Sequence, residues 1–421
     1  MSVSDPANGY AVFGVRNYMI CDVQFCSSIG GTPILTKLVD ELNGLGCRAT
    51  EYTLLSIGEY WNADSWLARW RMRGLMYVVY PARFLARFAG RLCPVTRVLT
   101  TNPFFMPYLA ALFCRSRNTR VVNLLYDLYP DAMELAGVLR PRSWGARLLG
   151  RIAAGSLRRC DATVFLGERL REHTEKKYGP ARRSAVIPVG ADGAPFRDCM
   201  PVQANDQKSI TLLYCGNMGR LHDYGTIYDA LQLLRAKDGL EAGVMARGRR
   251  LRVAIHGNGD GFKKFQDLAG ADSGDPAWEL VFGANLIGSA WTTQMRDADI
   301  ALVTMSKGAE RVLMPSKAYS ALVAGQAILA ICPDDSDLAD LVREHECGWV
   351  VSPGDAPALA EVLREIRTEP AKVLQKRRNA FRAGHEKYDL AVVARQWLDL
   401  VNELRRENPP GVRAKAQARG V

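Results

Sequence analysis

Short, almost wholly apolar, β-branched runs recur along this chain with helical patterns between them, and that alternation constrains the fold more than any other feature. In the first half the runs are Tyr18–Phe25, Cys47–Leu55, Thr96–Thr100, Arg120–Tyr126, Asp161–Leu166 and Ala185–Val189. In the second they are Ile210–Cys215, Leu251–His256, Glu279–Phe282, Asp299–Thr304, Ala327–Ile331 and Gly348–Val351. Strands covered on both faces lose the polar alternation of a half-solvated sheet, and parallel strands need a crossover between them. The pattern predicts an α/β chain with two Rossmann-like, doubly wound domains in succession. A length of 421 residues suits two ordinary cores better than one very large one.

The polar break from Asp198 to Lys208, with Pro201, sets the expected boundary, giving domains over 1–200 and 201–388. Ser336 to Glu344 is expected to be a helix with Ser336 as its N-cap. A last helix is expected over 389–406. Leu390, Val393, Trp397, Leu400, Val401 and Leu404 form its apolar stripe, with Asp389 as N-cap. The tail 407–421, opening Asn408-Pro409-Pro410-Gly411, has nothing to bury and is expected to be disordered.

Hydrophobic residues at 48% and charged residues at 24% match a soluble globular protein. The N-terminal residues lack the basic-then-apolar order of a secretory signal. The most apolar stretch, Val98 to Cys114, is broken by Thr100, Thr101, Asn102, Pro103 and Pro107, too often for a spanning helix. A cytoplasmic location is expected. The 10 cysteines include no Cys-x-x-Cys pair, and Cys21, Cys160, Cys215 and Cys332 stand in apolar runs, as reduced buried thiols do.

The net charge of +11 is unevenly placed. Between Tyr60 and Arg120 stand Arg69, Arg71, Arg73, Arg83, Arg87, Arg91, Arg97, Arg115, Arg117 and Arg120, against the single acid Asp64. Anionic partners follow: membrane lipid, a diphosphate-bearing acceptor, or nucleic acid. Arg83, Arg87 and Arg91 share one face of a helix expected from Pro81 to Leu92, and Phe84, Leu85, Phe88 and Leu92 gather on another. Trp66 and Trp70 lie one turn apart just upstream. Two readings stand. The segment lies in a lipid interface, or it packs on the first sheet with its arginines solvated.

Two such domains facing each other create a cleft at the carboxyl ends of both sheets, where open α/β folds bind ligands. Met314-Pro315-Ser316-Lys317 begins a helix that Gly325 ends, with Pro315 expected at its first position. Ser316 and Lys317 then fall where free N–H groups and a full positive charge attract an anion. The alternative is a packing helix with a solvated lysine. Gly216-Asn217-Met218-Gly219-Arg220 follows a strand, and Arg220 can grip two phosphate oxygens. His256-Gly257-Asn258-Gly259-Asp260-Gly261 and Ser27-Ser28-Ile29-Gly30-Gly31 also stand at strand ends. No Gly-x-Gly-x-x-Gly with a following acid occurs in one βαβ unit, which argues against a dinucleotide-dependent dehydrogenase.

The second half resembles the family-4 glycosyltransferases of GT-B architecture that assemble bacterial exopolysaccharides and O-antigens. The resemblance rests on Tyr214-Cys215-Gly216-Asn217-Met218-Gly219-Arg220-Leu221-His222-Asp223 and on Pro315-Ser316-Lys317 leading to Val323-Ala324-Gly325. Tyr126-Asp127-Leu128-Tyr129-Pro130-Asp131, Gly137-Val138-Leu139 and Ile187-Pro188-Val189-Gly190-Ala191-Asp192 are similar to first-domain and linker segments of the same enzymes. It implies a retaining hexosyltransferase-type enzyme with a nucleotide-diphosphate sugar as donor and no cofactor. The acceptor would be a saccharide or a lipid-diphosphate-linked saccharide. Gly30 and Gly31 would line the diphosphate, with Gly216 and Gly219 opposite. Arg220, Ser316 and Lys317 would neutralise it, and His222 would lie near the sugar. Gly257, Gly259 and the Phe282–Asn285 strand end would hold the nucleoside. Glu310 corresponds most nearly to the first of the family's two donor glutamates, and Ser320 stands in the place of the second. The family's histidine near Tyr126 is absent, which makes Asp127 the candidate there.

The acids of Asp297-Ala298-Asp299 and Asp335-Ser336-Asp337 are read as structural, one at a strand start and one on a helix's opening turn, so no metal is expected. Two rivals remain: a nucleotide-sugar epimerase of the same fold, and a basic protein bound to membrane or nucleic acid. Trp61, Trp66 and Trp70 could stack on bases, but no recognised nucleic-acid-binding fold accompanies them.

Overall fold

The computed structural model describes residues 22–61, 65–91, 93–116, 118–202, 209–240, 249–270 and 278–407. Tyr18–Cys21, Asp64, Leu92, Arg117, much of the expected interdomain break and the tail beyond Glu407 lie outside the described residues. In chain order the strands are β1 (Val23–Cys26), β2 (Ile29–Gly30), β3 (Ala49–Tyr52), β4 (Leu55–Ser56), β5 (Val95–Thr100), β6 (Thr119–Leu125) and β7 (Ala162–Phe165). There follow β8 (Ser184–Val186), β9 (Ser209–Asn217), β10 (Arg250–Asn258), β11 (Trp278–Gly283), β12 (Ile300–Thr304), β13 (Ala327–Ile331) and β14 (Gly348–Val351).

Two six-stranded parallel sheets result, ordered β3-β1-β5-β6-β7-β8 and β11-β10-β9-β12-β13-β14. Each expected apolar run overlaps one of these strands. The small ladder of β2 with β4 is additional and turns the loop after β1 back on itself. Chain direction across the sheet reverses between β1 and β5 in the first and between β9 and β12 in the second. These are the switch points at which such sheets open crevices. The second opens visibly, since β12 pairs with β9 only at Ile300 and Ala301.

The same device begins a strand in each half. Asp161 Oδ2 accepts the Val121 N–H at 2.9 Å, and its Oδ1 meets Arg115 Nε at 2.9 Å. Asp299 Oδ2 accepts the Thr211 N–H at 3.0 Å, and its Oδ1 meets Arg377. Buried acids that satisfy a neighbouring strand and an arginine together are structural groups. Asp299 therefore has the role expected of it.

Both expected caps form. Ser336 Oγ accepts the Ala339 N–H at 3.1 Å, and the Asp389 carboxylate accepts the Ala391 N–H at 3.0 Å. The helix that Asp389 opens, Leu390–Arg406, follows the second sheet in sequence but packs on the first. Trp397 meets Phe25 of β1 edge to face at 5.4 Å, and Arg405 Nη2 donates to the Asp22 carbonyl at 2.9 Å.

Asp337 does more than complement its own helix. Its carboxylate accepts the N–H groups of Arg169 and Leu170 at 3.0 and 3.1 Å, capping the helix Glu168–Tyr178 of the first half. Gly167 precedes that helix, and a Cβ there would fall 2.2 Å from Asp337 Cγ. Arg169 pairs with Asp340 beside it. The halves are also joined by the Leu128 N–H, which donates to the Val312 carbonyl at 3.0 Å.

The upstream part of the arginine-rich stretch is one helical run, α-helical over Trp66–Gly74, π-helical over Leu75–Val79 and α-helical again over Tyr80–Phe88, short of the expected end at Leu92. Pro81 lacks an N–H and crowds the carbonyl four residues back, at Tyr77, so the wider turn sits where the proline forces it. Tyr80, Phe84 and Phe88 are buried against Leu99, Met106 and Ala110. That face of the run packs on the first sheet. Arg83 and Arg87 stay exposed, as do Trp66 (69%), Leu67 (70%) and Trp70 (56%) upstream. Arg97, by contrast, is buried, and Arg115 and Arg120 pair with Asp161.

Candidate functional site

The loops at the second switch point meet around Lys317. Its Nζ donates to the Asn217 carbonyl at 3.1 Å, lies 3.4 Å from His222 Nε2, and stands 5.1 Å from the centre of the Tyr214 ring. Gly216, at the end of β9, has φ +123, and a Cβ there would fall 3.0 Å from Lys317 Cε. Glycine alone adopts that backbone without strain, and a side chain there would press on the lysine stem. Burial pulls the Lys317 ammonium down to about 8. Burial first, then the lysine charge, pulls His222 down to about 3, so its imidazole is neutral and can accept from the ammonium.

The helix that carries Lys317 is shorter than its sequence suggested. It spans Lys317–Val323, with Ser316 at the N-cap and making no side-chain cap, so Pro315 precedes the helix rather than opening it. Gly325 follows its end at φ +69, as expected. A seven-residue helix contributes a small dipole, so most of the anion-attracting power here belongs to the lysine charge. Ser316 is exposed.

Glu310 is buried in a short turn, Ala309–Arg311. Its Oε2 accepts the Gly308 N–H at 2.6 Å, and its Oε1 lies 3.4 Å from Arg311 Nε. The turn reaches the lysine site through its backbone, because the Ser306 N–H donates to the Leu221 carbonyl beside His222 at 2.9 Å. Asp127 follows β6, next to Leu128, whose bond to Val312 brings it to the same seam. Among the described residues no hydrogen bond reaches the Asp127 carboxyl oxygens. Burial alone raises its pKa to about 6. A cavity of 580 Å³ opens along this seam, lined by Glu310, Arg311 and Asp335 from the second half and by Arg169, Glu172, His173, Lys176 and Lys177 from the first.

The structure therefore gathers Gly216, His222 and Lys317 in one cluster, and Asp127 and Glu310 at the adjoining seam. It places the other candidates differently. Arg220 is exposed, with Asp260 Oδ2 3.4 Å from its Nε. Gly257 and Gly259 serve contact between loops: a Cβ on the first would fall 2.2 Å from the Gly216 carbonyl oxygen, and on the second 2.3 Å from Asn217 Oδ1. That close packing lets the Met218 carbonyl accept the Gly261 N–H at 2.8 Å, at the start of the helix Asp260–Ala269. A Cβ on Gly219 would fall 3.7 Å from Asn217 Nδ2, an ordinary contact. Gly30 belongs to β2 and underlies Thr53, while Gly31 turns left-handed at φ +70. Sequence reasoning missed Tyr214 and the Asn217 carbonyl as partners of Lys317. Nothing local to Asn217 announces a lysine 100 positions away, and Tyr214 is farther still.

No family model matches the chain. It is similar to the Probable glycosyltransferase WbjE of Pseudomonas aeruginosa, 26% identical over 309 residues, covering 70% of this chain and 72% of that protein. Sucrose-phosphate synthase from Thermosynechococcus elongatus superposes with a TM-score of 0.63 at 14% identity, over 92% of this chain and 100% of that one. Anabaena HepE in complex with UDP and glucose gives 0.59 at 11% identity, over 91% and 100%. The two parallel-sheet domains are those of the GT-B fold.

Proposed function

We propose that the protein is a retaining glycosyltransferase that moves a hexosyl group from a nucleotide-diphosphate sugar to a saccharide or lipid-diphosphate-linked acceptor. Support for glycosyl transfer comes from the GT-B fold, from the similarity to WbjE, and from neighbours such as HepE, whose structure holds UDP and glucose. The observation that carries the reading is the Lys317 ammonium, held half-buried at the second sheet's switch point against Gly216, Asn217 and His222. As the bond from the sugar's anomeric carbon to the diphosphate breaks, negative charge grows on the phosphate oxygens. A fixed cation in a partly dehydrated crevice stabilises that charge without reorganising. With retention, the acceptor oxygen bonds to the anomeric carbon on the face the diphosphate leaves, and a donor phosphate oxygen takes the acceptor's proton.

Arg220 reaches the diphosphate by leaving its exposed pairing with Asp260, a contact worth little to stability. Glu310 holds sugar hydroxyls, and Asp127 lies on the acceptor side of the seam. Transfer proceeds without a divalent ion, because one acid of each Asp-x-Asp triplet is committed elsewhere, Asp299 to Arg377 and Thr211 and Asp337 to the Glu168–Tyr178 helix start. The enzyme works at an anionic membrane face, held by the exposed Trp66, Leu67 and Trp70 and the arginines among them. A panel of nucleotide sugars, scored for binding and slow hydrolysis in the presence of chelator, tests this reading. One donor is expected to be hydrolysed to the sugar of the same anomeric configuration. Hydrolysis of none, or activity that manganese or magnesium restores after chelation, contradicts it.

A further inference from the structure

A second cavity, of 440 Å³, lies wholly in the first half, between the end of β3 and the helix Tyr80–Phe88. Tyr52, Thr53, Leu54, Arg83, Arg87 and Arg91 line it. Arg83 and Arg87, one turn apart on the helix, share a face distinct from that of the buried Phe84 and Phe88, and Arg91, just beyond the helix end, lines the same cavity. Among the described residues no carboxylate lines the cavity and no acid pairs with Arg83, Arg87 or Arg91. The cavity at the domain seam differs, because its Arg169, Lys177 and Arg311 are matched by Asp340, Asp131 and Glu310.

A further positive charge stands behind the wall. Arg97 is 2% exposed, its guanidinium stacks 4.4 Å from the Phe88 ring centre, and among the described residues its Nε and Nη1 have no hydrogen-bond partner. Phe88 in turn touches Tyr52, ring centres 4.9 Å apart. Like charges four residues apart on a helix repel, and a buried guanidinium without a counter-ion is costly. An anion in the cavity relieves both at once. Thr53, on the cavity wall, packs over Gly30 in the loop after β1, so the cavity adjoins the carboxyl ends of the first sheet, on the ligand-binding side of the fold.

We propose that this cavity binds the phosphate or diphosphate group of the acceptor. Guanidinium forks match pairs of phosphate oxygens, and the Tyr52 and Thr53 hydroxyls offer further donors. The cavity exceeds an inorganic anion in size, so room remains for the sugar or lipid joined to it. As an acceptor subsite it rests on the glycosyl-transfer reading; as an anion site it stands alone.

Calorimetric titration with inorganic pyrophosphate tests it on the full chain carrying Lys317→Gln with Arg220→Gln, which removes both cations assigned to the donor diphosphate. Binding is expected, weakened at least tenfold by Arg83→Gln with Arg87→Gln and less by the paired lysine variants, which keep charge but lose the fork. Thermal melts establish that each variant is folded, and Arg91→Gln alone, beyond the end of the helix, gives a second, milder measure. No pyrophosphate binding, or binding indifferent to these arginines, overturns the proposal. So does loss of flotation with anionic vesicles in the glutamine variant when pyrophosphate does not bind, because the arginines would then serve a lipid surface. Donor hydrolysis by the wild-type protein is scored separately, so failure of the transferase reading is told apart from failure of this one.

Discussion

Lys317 is held where a charge is poorly solvated, and that is the condition under which it can grip a diphosphate strongly. Its folded pKa of about 8 lies below the ordinary 10.5. Below pH 8 the lysine is protonated both folded and unfolded, so the penalty of burying its charge is present in full. The penalty fades as pH rises towards 10.5. Lys317→Met should therefore raise the melting temperature at neutral pH, with a gain that shrinks above pH 8, while turnover falls. One charge-assisted phosphate contact is worth about 1.5–3 kcal/mol, or roughly ten- to hundredfold in donor turnover. Near-wild-type kinetics in the folded variant would place the diphosphate elsewhere. Asp127 carries the opposite sign of charge and the same logic. Its carboxyl titrates near 6 when folded against 3.8 ordinarily, so the folded state holds the proton between those values. Stability from this group is lost as pH rises from 3.8 to 6 and stays lost above. Asp127→Asn should stabilise the fold more at about pH 7 than at about pH 4. If the carboxylate assists transfer, the same change removes an activity limb near pH 6. Unaltered pH profiles of both stability and activity would make Asp127 a bystander.

At the scale of elements, the halves are joined by a borrowed cap. Gly167 has no side chain to satisfy the start of the helix Glu168–Tyr178, and Asp337 supplies the acceptor from across the seam. Asp337→Ala should cost about 1 kcal/mol and speed hydrogen exchange at Arg169 and Leu170, with Asp337→Asn intermediate. Gly167→Ala should loosen the same helix by pushing the carboxylate away; unchanged exchange in both variants would show that the seam does not depend on this contact. What was legible in the sequence follows from the same distinction between local and distant partners. Strands buried on both faces announce themselves by composition, and the caps of Ser336 and Asp389 are satisfied within three residues. The role of Asp337 was half legible, because its own helix is adjacent in sequence and the helix it caps is not. Gly257 and Gly259 show the converse. A glycine needed where two loops touch looks, in one dimension, like a glycine needed beside a ligand. Lys317 stands out in the sequence because its Pro-Ser-Lys context is local; its contacts with Tyr214 and Asn217 exist only after the sheet is assembled.

For the whole molecule, the charge asymmetry resolves into separate surfaces. Phe84 and Phe88 are core residues, which removes them from any lipid contact and leaves the arginines of that helix facing a cavity. Upstream, Trp66 and Trp70 contact each other edge to face at 6.3 Å, with Arg73 5.8 Å from the Trp70 ring. Trp66, Leu67, Trp70 and, beyond the π-helical turn's start, Val78 (67%) are exposed on one helical run. Aromatic rings flanked by arginines suit the headgroup region of a bilayer, where the rings enter and the guanidinium groups remain with phosphates. No helix among the described residues is long and apolar enough to cross a membrane, so attachment here would be to the surface. Each arginine near an anionic leaflet adds about 1 kcal/mol, an attraction that salt screens. Flotation with anionic and neutral vesicles at low and high salt measures it. Recovery with anionic vesicles alone, reduced by salt and by Trp66→Ala with Trp70→Ala, is the expected result. Recovery in the unbound fraction under every condition would leave those tryptophans to a protein partner and confine the membrane's part to the acceptor it presents.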